Sequence, residues 1–327
     1  MRLPILLSIV FSTIAADGVS GPISPNFNLW LTANGYESED FLRADYGTQG
    51  SYGGMSSTIN RTSNTPVIFC HGNTDTALKT DSFSTGWDAT ILYFLANGYT
   101  QADLYATSWS DNKKANAGKR THSCFEVTRL RKWVDAVLKY TGSPKVSMVS
   151  HSMGVTLMRK VIKGGTITDP DGSTCNLGPG ISQQIEVFVG LSGANYGMCN
   201  CEGGSAFAEA SCNKKNGFWP GDYCGLNSLT CGLHPLPYPC TPSTGVIYSN
   251  YLTLLNNDPT KEGDYVFSAW SQADDVIQYQ DMTWGHPSSL IPTSTDHKIY
   301  QKLTHMQTKE QTYADQYTMV HDKRVPQ

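Results

Sequence analysis

Charged side chains are scarce in this sequence: Asp, Glu, Lys and Arg make up 16% of 327 residues and leave a net charge of -4. With no basic excess, nothing marks a surface for nucleic acid or for an anionic membrane. Apolar runs long enough to span a bilayer are missing, because the one strongly apolar stretch, residues 3–14, is too short. Internal repeats and a domain linker are missing too, so the chain reads as one domain over residues 17–327. The polar C-terminus, His321-Asp-Lys-Arg-Val-Pro-Gln327, carries neither a lipid-anchor tail nor a retention signal. Cys199 and Cys201 are not followed by a Cys-x-x-Cys pair, which argues against a zinc site built on them.

What is present begins with a leader. Arg2, the apolar run and small residues before Asp17 give residues 1–16 the form of a secretory signal peptide, with cleavage expected near Ala15 or Ala16. The expected product is secreted, and cysteine usage agrees. Of nine cysteines, six crowd between Cys199 and Cys240, which suits an oxidising compartment. Cys70 lies inside an apolar strand and is expected to be buried and free. Cys124, Cys175, Cys199, Cys201, Cys212, Cys224, Cys231 and Cys240 have the number for four bridges, with the pairing left open. One glycosylation sequon stands at Asn60-Arg-Thr62.

Periodicity predicts an alternation of strands and helices. Strand-like segments stand at residues 66–70, 103–109, just before Ser152, 184–191 and 264–271, with a further strand or loop near 298–304. Helical spacing covers residues 84–97, residues 126–140 (Val127, Leu130, Val134, Val137), and the stretch from Ser152 to Gly164-Gly165. A broken helix is expected over 27–42 and a polar one over 309–320. Residues 47–65 and 111–119 read as surface loops. This alternation implies an α/β fold with a mainly parallel central sheet and helices on both faces. Residues 195–251 interrupt it with Cys, Gly and Pro, and read as a disulfide-stapled insertion. Its aromatic residues suit either a small core of its own or a lid over a lipid.

In sheets of this kind, active residues lie beyond the carboxyl ends of strands. Residues 145–160 read as a short strand, an abrupt turn at Ser152, and a helix. Ser150 and Gly154 bracket the serine at the spacing of a nucleophile elbow, with Ser150 where a first glycine usually stands. Small neighbours let a serine stand clear on a tight turn, and the new helix points its positive end at any anion that forms there. His71-Gly72, ending another strand, has the form of an oxyanion loop, since glycine lets the next N–H turn toward a substrate carbonyl. An acid and then a histidine must follow Ser152. Asp274 or Asp275 fits the first, and His286, His297 and His305 all fit the second by order.

Together, Pro66-Val-Ile-Phe-Cys-His-Gly-Asn73, Ser150-His-Ser-Met-Gly154, Leu191-Ser-Gly-Ala-Asn195, Ser271-Gln-Ala-Asp-Asp-Val-Ile277 and the late His305 resemble the class 2 lipases. That is a secreted triacylglycerol lipase and esterase family of the α/β-hydrolase fold, and residues 27–54 resemble its eukaryotic branch. The resemblance implies Ser152 as nucleophile, Asp274 as acid and His305 as base. It also implies an oxyanion hole from the backbone N–H groups of Asn73 and Met153. The implied substrate is a lipid or other ester, with an oil–water interface as one setting, and no cofactor is needed. A short-chain esterase or acyltransferase would use the same residues, whereas a binding protein on this fold would normally lack one of them. Oligomeric state is not encoded in any feature of the chain.

Overall fold

Alternate residues of the central strands feed two different cores, and this decides the architecture. The computed structural model describes residues 18–56, 64–201, 205–221, 231 and 246–327. The expected leader, the Asn60 sequon, Cys224 and Cys240 lie outside the described residues. Seven strands form one sheet: β1 (Ser51–Tyr52), β2 (Val67–Cys70), β3 (Leu104–Thr107), β4 (Val146–His151), β5 (Ile185–Leu191), β6 (Tyr265–Ser271) and β7 (Asp296–Tyr300). Their order is β1-β3-β2-β4-β5-β6-β7, and every pair is parallel except β1 with β3. The expected mainly parallel sheet is therefore present.

Ile68, Cys70, Tyr105, Met148 and Phe188 point into one core. Helices α1 (Pro25–Ala33), α3 (Cys124–Thr141), α4 (Met153–Lys163) and α5 (Asn250–Asn257) supply its other wall. The intervening Val67, Phe69, Leu104, Ala106, Val149, Val187 and Val189 point the other way. They meet α2 (Asp88–Ala96) through Ile91 and Phe94, and α7 (Tyr313–His321) through Met319 and Val320. Burial on both faces is why these strands show no regular polar alternation, and the serines they hold, Ser147, Ser150, Ser268 and Ser271, are themselves buried.

Several boundaries differ from the sequence expectation. The 47–65 stretch is not all surface loop: β1 within it is buried and pairs Ser51 with Thr107 and Tyr52 with Ala106. A two-residue strand leaves no periodicity to read. The polar C-terminal helix is two helices, α6 (His305–Glu310) and α7, separated at Gln311 and Thr312. Helix α2 starts at Asp88, because Asp81 Oδ1 takes the N–H groups of Phe83 (2.7 Å) and Ser84 (2.8 Å) in a separate turn. The hairpin of Thr166–Thr168 with Thr174–Asn176 had no expected counterpart.

Three disulfides join described residues: Cys124–Cys175, Cys199–Cys231 and Cys201–Cys212. The first pins the start of α3 to the hairpin, and the other two staple the insertion. Cys199 and Cys201 are thus both oxidised, which removes the thiolates that the zinc alternative required. Cys70 is free and buried, as its apolar strand suggested. His122 joins the insertion to α4, with Nδ1 2.8 Å from Asn216 O and Nε2 2.6 Å from Thr156 Oγ1.

The far end of α4 is anchored by Arg159, whose side chain is 0% exposed, as is that of its partner Glu262. Its Nε donates to Glu262 Oε1 (2.8 Å), Nη1 to Asn195 Oδ1 and Asn256 Oδ1 (both 2.9 Å), and Nη2 to Leu255 O (3.1 Å). Burial alone would raise the Glu262 carboxyl, but the charges of Arg159 and Lys163 outweigh it and hold it below its ordinary range. Removing one member of a buried pair leaves its partner desolvated, typically at a cost of about 3–5 kcal/mol. Arg159→Met is expected to lower stability by about 3 kcal/mol, read as a lower urea midpoint. Adding Glu262→Gln should recover part of the loss, and an unchanged midpoint in Arg159→Met would contradict the anchoring role.

Candidate active site

Ser152 sits between β4 and α4 with φ 53° and ψ -128°, a left-handed backbone that costs a non-glycine residue about 1–3 kcal/mol. The turn is held from both sides. Ser152 N–H donates to Leu191 O on β5 at 2.9 Å. On the β2 side, a methyl at Gly154 would stand 2.5 Å from His71 O and 2.7 Å from Cys70 O, so only glycine lets α4 press its first turn onto that strand end. Gly72 is equally constrained, because a side chain there would lie 2.8 Å from Ser152 Cβ. Ser150, in the first-glycine position, is buried and keeps regular pairing with Cys70 and Gly190, so its hydroxymethyl group fits without breaking the sheet.

The loop after β2 brings Asn73 beside this turn. Among the described residues, no acceptor takes the N–H of Asn73 or of Met153, the first residue of α4. The Asn73 side chain is occupied elsewhere: Nδ2 donates to Ala117 O (3.0 Å), and Oδ1 accepts from Arg120 Nη1. Arg120 also holds Asp111, Ser110 Oγ (3.1 Å) and Lys113 O (3.0 Å). The 111–119 loop, expected to be merely solvated, is therefore tied to the loop that carries Asn73. His71 braces the same loop. Its Nε2 accepts the Trp109 N–H (3.0 Å), leaving the Nδ1 proton for Gly72 O (2.8 Å), and its ring stacks on Trp109 at 5.3 Å.

Asp274 and His305 meet directly, with His305 Nδ1 2.7 Å from Asp274 Oδ2. Asp274 Oδ1 accepts the N–H groups of Val276 (2.9 Å) and Ile277 (2.8 Å). Burial would raise the Asp274 carboxyl, but His305 and these two N–H donors reverse the effect and hold it below the ordinary carboxylate range. Asp275 does something else. Its Oδ1 accepts the backbone N–H of His305 at 2.9 Å and so fixes the start of α6, where Thr304 and Gln307 form a reciprocal capping box.

His151, the residue before Ser152, completes the junction. Its Nε2 donates to His305 O (3.1 Å), and the two rings lie 4.6 Å apart. The structure thus brings His305 against the elbow through its backbone. Among the described residues Ser152 Oγ has no hydrogen-bond partner. The other candidate histidines are elsewhere and exposed: His286 stacks on Tyr196 (4.9 Å), and His297 on Trp270 (5.3 Å) at the sheet edge. The contributions of Arg120, His151 and Asp275 had no signal in the sequence, since each depends on a contact across the fold. Among the described residues no group of three His, Cys, Asp or Glu side chains could hold a metal ion, and no helix is long and apolar enough to cross a membrane.

A mostly parallel sheet with a strained serine at the end of its central strand, a carboxylate after a later strand and a histidine heading the next α-helix has the arrangement of the α/β-hydrolase class. The family described as Lipase (class 2) matches residues 64–318, and the chain belongs to it. A comparison with curated proteins returns no match. Among solved structures, lipase B of Aspergillus fumigatus is similar at 12% identity and TM-score 0.48, over 83% of this chain and 56% of that one. The mature lipase BlEst2 of Bacillus licheniformis is similar at 12% identity and TM-score 0.46, over 82% of this chain and 96% of that one. A monoacylglycerol lipase of Paleococcus ferrophilus gives 16% and 0.40, over 77% and 96%. The match thus spans little more than half of the Aspergillus enzyme. Family membership supports an ester hydrolase.

Two predictions follow from the site's geometry. Asp274→Asn sets an N–H donor against the imidazole, since the Val276 and Ile277 N–H groups hold the remaining oxygen, and is expected to lower kcat for ester hydrolysis by about 10⁴-fold. Asp275→Asn leaves the ring untouched and should cost far less; the reverse ranking would overturn the assignment. The second concerns acid stability. Burial pushes His71 and His122 from 6.5 down to about 4, and His151 well below 6.5. All three stay neutral when folded but take up protons when unfolded. Stability should therefore be full above pH 6.5 and fall toward pH 4, by about 3 kcal/mol for each group shifted from 6.5 to about 4. Urea midpoints measured from pH 7.5 to 4.5 would show this, and a flat series would contradict it.

Proposed function

We propose that this protein is a secreted serine ester hydrolase, a lipase acting on acylglycerols through an acyl-enzyme on Ser152. The observation that carries the reading is the buried Asp274–His305 hydrogen bond beside a strained Ser152 turn. In this mechanism His305 Nε2 takes the Ser152 proton as Oγ attacks the ester carbonyl. The N–H groups of Asn73 and Met153 receive the developing oxyanion, where a single donor is typically worth about 3–4 kcal/mol. Asp274 keeps the His305 proton on Nδ1 and stabilises the imidazolium. His305 then returns its proton to the leaving alcohol, and water, activated by the same imidazole, releases the acid from Ser152.

A single hydrolase domain over residues 17–327, carrying the stapled insertion, is part of the same reading. Secretion is supported by the leader-like residues 1–16 and by the disulfides. A short-chain esterase or acyltransferase would use the same chemistry and differ only in pocket and water access. Ser152→Ala is expected to lower hydrolysis by at least about 10⁴-fold while the protein remains folded. Rates on esters of graded chain length, soluble and emulsified, should rise toward long-chain emulsified acylglycerols. Undiminished hydrolysis by Ser152→Ala would overturn the nucleophile, and a strict short-chain preference would replace lipase with esterase.

A further inference from the structure

Two of the pieces that meet at the candidate site, the loop carrying Asn73 and the helix α6 carrying His305, lie far apart in sequence. A buried ion pair joins them. Lys309 Nζ donates to Asp75 Oδ2, and the two side chains are only 1% and 2% exposed. Lys309 lies one helical turn beyond His305, and Asp75 lies two residues beyond Asn73. Each partner is itself fixed. Asp75 Oδ1 accepts the N–H groups of Thr76 and Gly86, both at 2.9 Å. Lys309 Nζ also donates to Thr85 Oγ1 (3.0 Å) and stands 5.6 Å from the Trp87 ring centroid. The Lys309 carbonyl accepts from Gln316 Nε2 (2.7 Å), which ties α6 to α7.

Stability alone does not account for such a pair, because well-packed apolar residues of similar volume often serve a core as well or better. What the pair supplies is direction. Charge and hydrogen bonding allow one arrangement of loop and helix, whereas apolar side chains would tolerate sliding. We infer that Asp75 and Lys309 are a positioning pair that sets the spacing between the His305 imidazole and the Asn73 N–H. The inference rests on the proposed roles of Ser152, His305 and Asn73. Neither member touches the reacting atoms in this scheme; both act through the backbone that presents them.

The test compares wild type, Asp75→Asn, and the neutral double variant Asp75→Asn with Lys309→Met, at a temperature well below each unfolding midpoint. The substrate is a soluble p-nitrophenyl ester. Misplacement of about 1 Å commonly costs about 10²-fold in rate, so the double variant is expected to lose about 10- to 100-fold in kcat. KM should stay nearly constant, because ground-state binding is not the target. Affinity for a boronic acid that mimics the tetrahedral intermediate should fall in parallel with kcat/KM. A purely structural pair would shift the unfolding midpoint and leave kcat and boronate affinity at wild-type values, and that result overturns the inference. Should the double variant not fold, Asp75→Asn, which keeps size and a hydrogen-bond acceptor, carries the same comparison. Ser152→Ala separates the two levels: if it is inactive while the pair variants keep wild-type kcat, only the positioning role fails. If Ser152→Ala keeps wild-type activity, the site reading itself fails.

Discussion

The left-handed backbone of Ser152 is a state that an L-residue leaves unless its surroundings prevent it. Here they do so at three points. The Leu191 carbonyl holds the Ser152 N–H, Gly154 lets α4 seat against the end of β2, and Arg159 locks the other end of the same helix into a fully buried polar cluster. The strain is thus distributed over a helix anchored at both ends and a sheet buried on both faces. A serine in such a backbone is held there by its surroundings and not by its own conformational preference.

Around that turn, two adjacent carboxylates are used for different purposes. Asp274 faces the imidazole, while Asp275 takes the backbone N–H of the same histidine. One orients the ring and the other locates the helix that carries it. His151 adds a third restraint by donating to the His305 carbonyl. Three buried neutral histidines each have a definite hydrogen-bond role: His71 braces the loop carrying Asn73, His151 holds α6, and His122 connects the insertion to α4. Desolvation keeps all three uncharged at neutral pH.

Buried charge is used where two chain segments must meet in one register. Arg159 with Glu262, and Lys309 with Asp75, each link a helix to a distant loop. Two disulfides, Cys199–Cys231 and Cys201–Cys212, do similar work among the described residues of the insertion. Cys199–Cys231 packs with Trp284, and the Trp284 N–H donates to Cys231 O at 2.7 Å, so the staple is docked onto the segment that follows the loop of Asp274.

Spacing within short stretches was enough to recognise the alternating strands and helices and the tight turn at Ser152. These features are local: apolar periodicity reports burial, and a strand–turn–helix with small residues around a serine reports a tight turn. Residues remote in sequence left no such trace. Which carboxylate faces His305, which histidine lies near Ser152, how the cysteines pair, and that Asp75 meets Lys309 or Arg120 meets Asn73 were decided only when the sheet closed. The same holds for β1, whose two residues become a strand only because Ala106 and Thr107 lie beside them. Local sequence determines what a segment can form, and the contacts between segments, which carry the electrostatics of the site, belong to the tertiary structure.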